Sequence, residues 1–208
     1  MKPLKVLIGC EYSGAVRDEF LKRGHNAMSC DLLPTDSPGP HYQGDIFDVI
    51  DYPWDIAIFH PPCTDLAVSG AAWFAKKRMI GAQQASASFF MKLQRAAAHI
   101  PKTATENPVS VMSSLWRKPD QVIQPWMFGH PEQKATCLWL KGLPTLNPTN
   151  DVKAEMLTLP DNQRQRLHYL PPSEDRWKIR SQTFKGIAEA MADQWGGTSR
   201  DMFGEVAA

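Results

Sequence analysis

At 208 residues, with 43% apolar and 22% charged side chains, the chain can bury a sizeable core in one domain and is too apolar to be disordered. A formal net charge of +1 excludes a global basic field, so any contact with nucleic acid has to come from a local patch. The four cysteines show no pair at zinc-ligand spacing, no apolar run reaches bilayer length and no signal-peptide core opens the chain, so the expectation is a reduced, cytoplasmic protein without disulfide frame, metal or membrane partner.

Residues 5–9 read as a first strand, and Val16 and Phe20 share one face of a helix that ends near Arg23 and Gly24. Between them Cys10, Glu11, Tyr12, Ser13 and Gly14 form a turn whose amides, at the helix start, suit the carboxylate of a ligand's amino-acid moiety. Strand, turn and helix are the opening of a nucleotide-binding βαβ unit. A second strand over 27–30 ends at Asp31 and Leu32. The interval from Gly14 to Asp31 is close to the roughly 20 residues at which such a unit places a ribose-binding acid. The plain alternative is an ordinary acid at a strand end.

Proline and glycine mark 33–43 as a loop, followed by Gly44, Asp45 and Ile46. The apolar, β-branched run over 55–59 reads as a buried strand. It feeds His60-Pro61-Pro62-Cys63, where two prolines fix the backbone and present Cys63 on a stiff loop at the carboxyl end of the strand. Open α/β sheets bind ligands at that end. The plain reading of Cys63 is an inert core thiol.

Residues 71–79 mix Trp73 and Phe74 with Lys76, Lys77 and Arg78, which suits phosphate and base contact or simply a helix with a solvated cationic face. Phe89, Phe90, Leu93, Ala96, Ala97 and Ile100 then recur at helical spacing, a packing helix over 83–100. Thr103, Ala104 and Thr105 read as a strand that ends in Glu106-Asn107-Pro108, an acid before a proline-stiffened turn. A thiol on one strand end and a carboxyl on a neighbouring one are the parts of a nucleophile with an acid or hydrogen-bond partner.

Loop and short helix are expected over 109–131, and a strand ends the segment 132–140, which carries Lys134 and Thr136. His60 and His130 each precede a proline and read as satisfied loop histidines; a cysteine hydrolase built on His60 and Cys63 is the remote alternative. Five prolines punctuate 142–172 beside the basic cluster Arg164, Arg166 and His168. Ser173 is placed to cap a turn before Arg176. Phe184, Ile187, Ala188, Met191, Ala192 and Trp195 form the most regular helical stripe in the chain, and 196–208 reads as a flexible tail.

Pro62-Cys63 with Ser69-Gly70, followed in order by Glu106-Asn107, resembles the catalytic loop and the Glu-Asn motif of the cytosine-C5 DNA methyltransferases. Gly14 falls on one glycine of that family's first motif, whose other glycines are absent. Gly44-Asp45-Ile46 is similar to its third. Residues 129–136 are similar to a motif in which Lys134 and Thr136 stand where arginines are expected. Lysine is not a planar, forked donor like arginine, which leaves the acceptor base open.

The resemblance covers 4–140 and the terminal helix. It implies an α/β protein with a Rossmann-like, S-adenosylmethionine-dependent methyltransferase fold and a mostly parallel sheet, in one catalytic domain over 1–195. It implies S-adenosylmethionine as cofactor, with Cys10 to Gly14, Asp31, Leu32, Asp45, Ile46, Pro61 and Thr183 around it. It further implies Cys63 as nucleophile toward C6 of cytosine, Glu106 at N3, and Lys134 holding the base or a phosphate. The segment 141–172 is too short for a recognition domain, as in compact phage enzymes, so specificity is low or comes from this segment or a partner chain. DNA is the expected partner. The alternatives are a nucleotide or RNA acceptor for the same chemistry, or a non-catalytic cofactor- or partner-binding module.

Overall fold

The structure, a computed structural model, describes residues 2–197. Seven strands form one sheet: β1 (Lys5–Gly9), β2 (Asn26–Asp31), β3 (His41–Gln43), β4 (Ile56–Phe59), β5 (Lys102–Pro108), β6 (Gln121–Ile123) and β7 (Thr136–Lys141). Their order is β3-β2-β1-β4-β5-β7-β6, parallel from β3 through β5, with β7 running antiparallel to both β5 and β6. This is a Rossmann-like α/β fold with a mostly parallel sheet. The order reverses at β1, so the carboxyl ends of β1 and β4 flank the switch point at which open α/β sheets hold ligands.

The helices are α1 (Ala15–Lys22), α2 (Phe74–Met79), α3 (Ala82–Ala96), α4 (Met112–Leu115), α5 (Lys153–Thr158), α6 (Asp161–Arg164), α7 (Arg166–Tyr169), α8 (Arg176–Ser181) and α9 (Lys185–Met191). Strand residues alternate between two cores. Val6, Ile8, Ile56, Ile58, Ala104 and Leu138 face α1 and α9, where Phe20, Ile187, Met191 and Trp195 are buried. Leu7, Ala57 and Phe59 face the other way, toward Leu93 of α3. Burying each large apolar side chain stabilises by roughly 1.5–3 kcal/mol, so the period-2 strands and period-3.6 helices hold the sheet rigid beneath its loops.

Several expectations need correction. Glu106, Asn107 and Pro108 are not a turn but the end of β5, paired with β7 as far as Pro108 opposite Thr136. The proline sits where β5 is leaving the parallel part of the sheet and faces a short reversed strand. Residues 41–43 pair with β2 instead of looping free, and the three-residue β6 has too few residues to show a period. Ser173 makes its contact through its carbonyl, which accepts from the Arg176 amide, while Asp175 stands at the start of α8. The last helix continues as a wider turn through Gly196, and the rest of the expected tail, 198–208, lies outside the described residues.

Candidate active site

Alternation along the strands sends a set of polar side chains to one corner. Ile56 and Ile58 face α1 and α9, and the next residue of that parity is His60, whose amide still donates to the Gly9 carbonyl. Ala104 faces the same way, and two residues on is Glu106. Phe59 pairs with Thr105 in register, so His60 and Glu106 are neighbours just past the core. Lys134 precedes the antiparallel β7 and arrives at the same corner from the opposite direction.

Cys63 follows in a tight turn in which its carbonyl accepts from the Leu66 and Ala67 amides. Asn107 Nδ2 donates to the Pro61 carbonyl at 3.0 Å and ties this loop to β5. Val68 and Val111 amides, donating to the Val109 and Leu66 carbonyls, lock the loop's far side onto the chain after β5. Lys77 reaches back from α2 to the Thr64 carbonyl and to Asp65 at 3.2 Å. The thiol is therefore presented by a loop held at both ends.

The contacts of His60 and Pro61 with β5 bring these groups to one corner, where each acts on the charge of the others. Burial pushes the half-buried Cys63 thiol above its ordinary range, the Glu106 carboxylate adds to this, and the charges of Lys134 and Arg180 pull it back. For Glu106 burial again acts upward, but a hydrogen bond from His60 and the nearby charges of Lys134 and His60 outweigh it and hold the carboxyl below the usual range. His60 Nδ1 lies 3.4 Å from Glu106 Oε2. Lys134 Nζ donates to the Arg180 and Gln182 carbonyls at 3.0 and 3.5 Å, so two of its three donors pin the chain between α8 and α9. Thr183, half-buried, directly follows that anchor.

The turn after β1 behaves differently from the expectation. Glu11 is buried and its carboxylate accepts from the amides of Val16 at 2.7 Å and Arg17 at 3.4 Å, while Ser13 Oγ accepts from Ala15. The start of α1 is thus capped by the chain itself, and Glu11, expected beside the cofactor, is instead buried and committed to that cap. Tyr12 is turned against Trp177 with ring centroids 5.7 Å apart, and its hydroxyl meets Ser181 Oγ and the Lys178 carbonyl. Gly14 takes φ +75°, and a Cβ there would lie 2.4 Å from the Arg17 guanidinium; its glycine is required by the fold before any ligand is considered. Cys10 also has positive φ, 59°, an uncommon conformation for a residue with a side chain.

Around Cys10 the polar residues face outward instead. Burial and the neighbouring Asp31, Cys30 and Asp45 raise its thiol strongly, which places both carboxyls beside this turn. Asp31 Oδ1 accepts from the Leu33 amide, and Leu32 stands 73% exposed next to it. Asp45 Oδ1 caps its own turn through the Phe47 amide. Ile46 is a correction: its side chain lies 4% exposed in the core with Leu7 and Phe59 and supports the turn from beneath.

His60 is also a correction. Its ring is nine-tenths buried, yet Nε2 has no hydrogen-bond partner among the described residues, and nor does Asn107 Oδ1. His130, by contrast, is satisfied: Nε2 accepts from the Gly186 amide at 3.0 Å, and burial pushes the ring's proton affinity down. Two clefts, one lined by Lys2, Lys5, Asn26 and Asp55 and one by Leu21, Met28 and Trp54, lie at the amino ends of the strands, away from this corner.

No protein-family model matches the chain, and no curated protein does. Solved structures similar to it include that of the Entamoeba histolytica methyltransferase EhMeth, with 12% identity and a TM-score of 0.47 over 73% of this chain and 58% of that one. The chain thus spans little more than half the length of that structure. All four cysteines are free, and among the described residues no group of three or more His, Cys, Asp and Glu side chains is placed to hold a metal ion. No described helix is long and apolar enough to cross a membrane.

Proposed function

We propose that the protein transfers a methyl group to carbon 5 of cytosine in DNA with S-adenosylmethionine as donor. The observation that carries this reading is the convergence of Cys63, Glu106 and Lys134 at the carboxyl ends of β4 and β5, next to the carboxyl-lined turn after β1. The chain's residues fit the donor: Asp31 and Asp45 offer acceptors to ribose hydroxyls and an amino group, and the exposed Leu32 offers a face to a base. Bound there, the donor supplies an electrophilic methyl on a sulfonium.

Cytosine C5 is a poor nucleophile until the ring is made electron-rich. In this reading the Cys63 thiolate adds to C6 while Glu106, ionised in the free protein and taking up a proton from solvent as the base enters, hydrogen-bonds or protonates N3, so C5 gains enamine character. Once C5 has taken the methyl, the donor's sulfur keeping the electron pair as a neutral thioether, loss of the C5 proton to solvent and expulsion of the Cys63 sulfur restore the aromatic ring. The thiol has to lose its proton on the way, and Lys134 and Arg180 are the charges that favour its anion. In duplex DNA the base leaves the stack first, at a cost of a few kcal/mol. The exposed Trp73, Met79 and Ile80, with the exposed Lys76 and Arg78 between them, form the surface beside the loop that meets the strand.

Labelled-methyl transfer to duplex DNA, single strands, RNA and dCMP, with wild type and Cys63→Ala side by side, tests the proposal. Transfer to cytosine in DNA that disappears in Cys63→Ala is expected. Transfer only to RNA or dCMP moves the acceptor and keeps the chemistry. Donor binding by calorimetry with no transfer to any acceptor points to a binding module and ends the enzymatic reading.

A further inference from the structure

Among the buried polar groups that this reaction does not use, His60 stands out. It occupies the first position past β4, between the thiol loop and the sheet, and its ring is nine-tenths buried. One ring nitrogen meets Glu106 Oε2 at 3.4 Å, which leaves the carboxyl's other oxygen, Oε1, for a second partner, and the Glu106 side chain is 18% exposed. The other nitrogen has no partner among the described residues. A histidine kept only for packing has no reason to carry that desolvation cost, since an apolar side chain of equal size would avoid it.

The charged and titratable groups around the ring come from four segments. Glu106 faces it from β5, Glu11 lies close enough from the turn after β1 for the two to interact electrostatically, and Cys63 belongs to its own loop. Lys134 approaches from the start of β7 through its effect on Glu106. His60 thus bridges the turn beside the donor site and the acid beside the acceptor site.

We propose that His60 is a positioning residue: its Nδ1–H donates to Glu106 Oε2, which fixes the carboxyl's orientation and leaves Oε1 to carry the proton taken up on acceptor binding and present it to the ring nitrogen of the acceptor. The inference rests on the reading of Glu106 as the group that meets the acceptor. The observed 3.4 Å is long for a hydrogen bond, as is common before a ligand tightens a site, and closing it is the work acceptor binding would do.

The test combines kinetics with a signal from the free protein. His60→Phe keeps the ring's bulk and removes both nitrogens; His60→Asn places an amide donor near Nδ1. Steady-state transfer should show kcat reduced about 30- to 100-fold in His60→Phe, with the donor's Kd by calorimetry unchanged within about twofold, and at least about tenfold of the loss recovered in His60→Asn. In the free wild-type protein the 15N-imidazole spectrum should show the Nδ1–H tautomer of His60, and Glu106→Leu should shift that resonance. Wild-type kcat in His60→Phe, or no recovery in His60→Asn, overturns the proposal. If His60→Phe does not fold, the asparagine variant and the spectrum decide. If wild type methylates no acceptor, the transferase reading falls by itself, and an Nδ1 resonance indifferent to Glu106→Leu overturns the His60 proposal separately.

Discussion

Two turns at the same edge of one sheet, the one after β1 and the one after β4, spend their polar groups in opposite ways. After β1, Glu11 caps α1, Ser13 supports the same cap and Tyr12 is bonded to α8, so the turn is largely satisfied from within the chain. After β4, His60 Nε2 and, across on β5, Asn107 Oδ1 are buried without partners, Cys63 sits with a raised thiol, and Glu106 is held ionised beside it. Raised thiols occur in both turns, at Cys10 and at Cys63, so what separates them is the pair of buried atoms left without partners, His60 Nε2 and Asn107 Oδ1. Helix position alone would have assigned both turns the same role.

Breaking the reactive turn should have the largest effect. Cys63→Ala should lower methyl transfer by about 10⁴-fold or more in a filter-binding assay, because the nucleophile has no substitute nearby. Glu106→Gln should lower it by about 10²- to 10³-fold, the usual contribution of an acid acting at the reacting ring.

Breaking the satisfied turn should be felt in stability. Glu11→Ala leaves the Val16 and Arg17 amides without their acceptor and should cost about 1–3 kcal/mol in urea denaturation.

A pH experiment sharpens the contrast. The Cys63 thiol is raised in the folded protein, so its alkylation by iodoacetamide, followed by mass spectrometry, should be slow at neutral pH and climb only as pH rises beyond the ordinary thiol range. Glu106→Gln removes one cause of the rise, so alkylation at a fixed mildly alkaline pH should be faster by about two- to tenfold. The smallest effect is expected from Tyr12→Phe, which loses the hydroxyl's contacts with Ser181 and Lys178 and should cost about 0.5–1.5 kcal/mol.

Much of the scaffold was legible because it is written in periods. The unbroken apolar run over 55–59 is a strand buried on both faces, and the stripes from Phe184 to Trp195 and from Phe89 to Ala96 mark helices, although the helix expected over 83–100 ends at Ala96 and tightens over Ala97–His99. What escaped depends on pairing across long separations. The three-residue β6 acquires its identity from β7, and Glu106 to Pro108 look like a turn until a reversed strand lies beside them. The site was legible in part for a similar reason. Cys63 and Glu106 carry signals in their neighbours, and the structure brings them together.

Glu11 misleads, because nothing in a turn's composition says which acid will fold back on its own helix. His60 could have been found: it continues the Ile56, Ile58 alternation, as Glu106 continues that of Ala104, and equal parity on paired parallel strands makes them neighbours. Lys134 stands where the family resemblance placed a base-holding cation, but most of its donors go to the chain before α9.

Covalent trapping tests most directly whether sulfur and carboxyl act on one ring. Wild-type protein is incubated with S-adenosylmethionine and DNA carrying 5-fluorocytosine, which has no proton at C5 to lose, and the products are resolved by denaturing electrophoresis and peptide mass spectrometry. The account predicts a stable adduct on Cys63, weakened in Glu106→Gln and absent in Cys63→Ala. Donor bound, DNA bound and no adduct on Cys63 would contradict it.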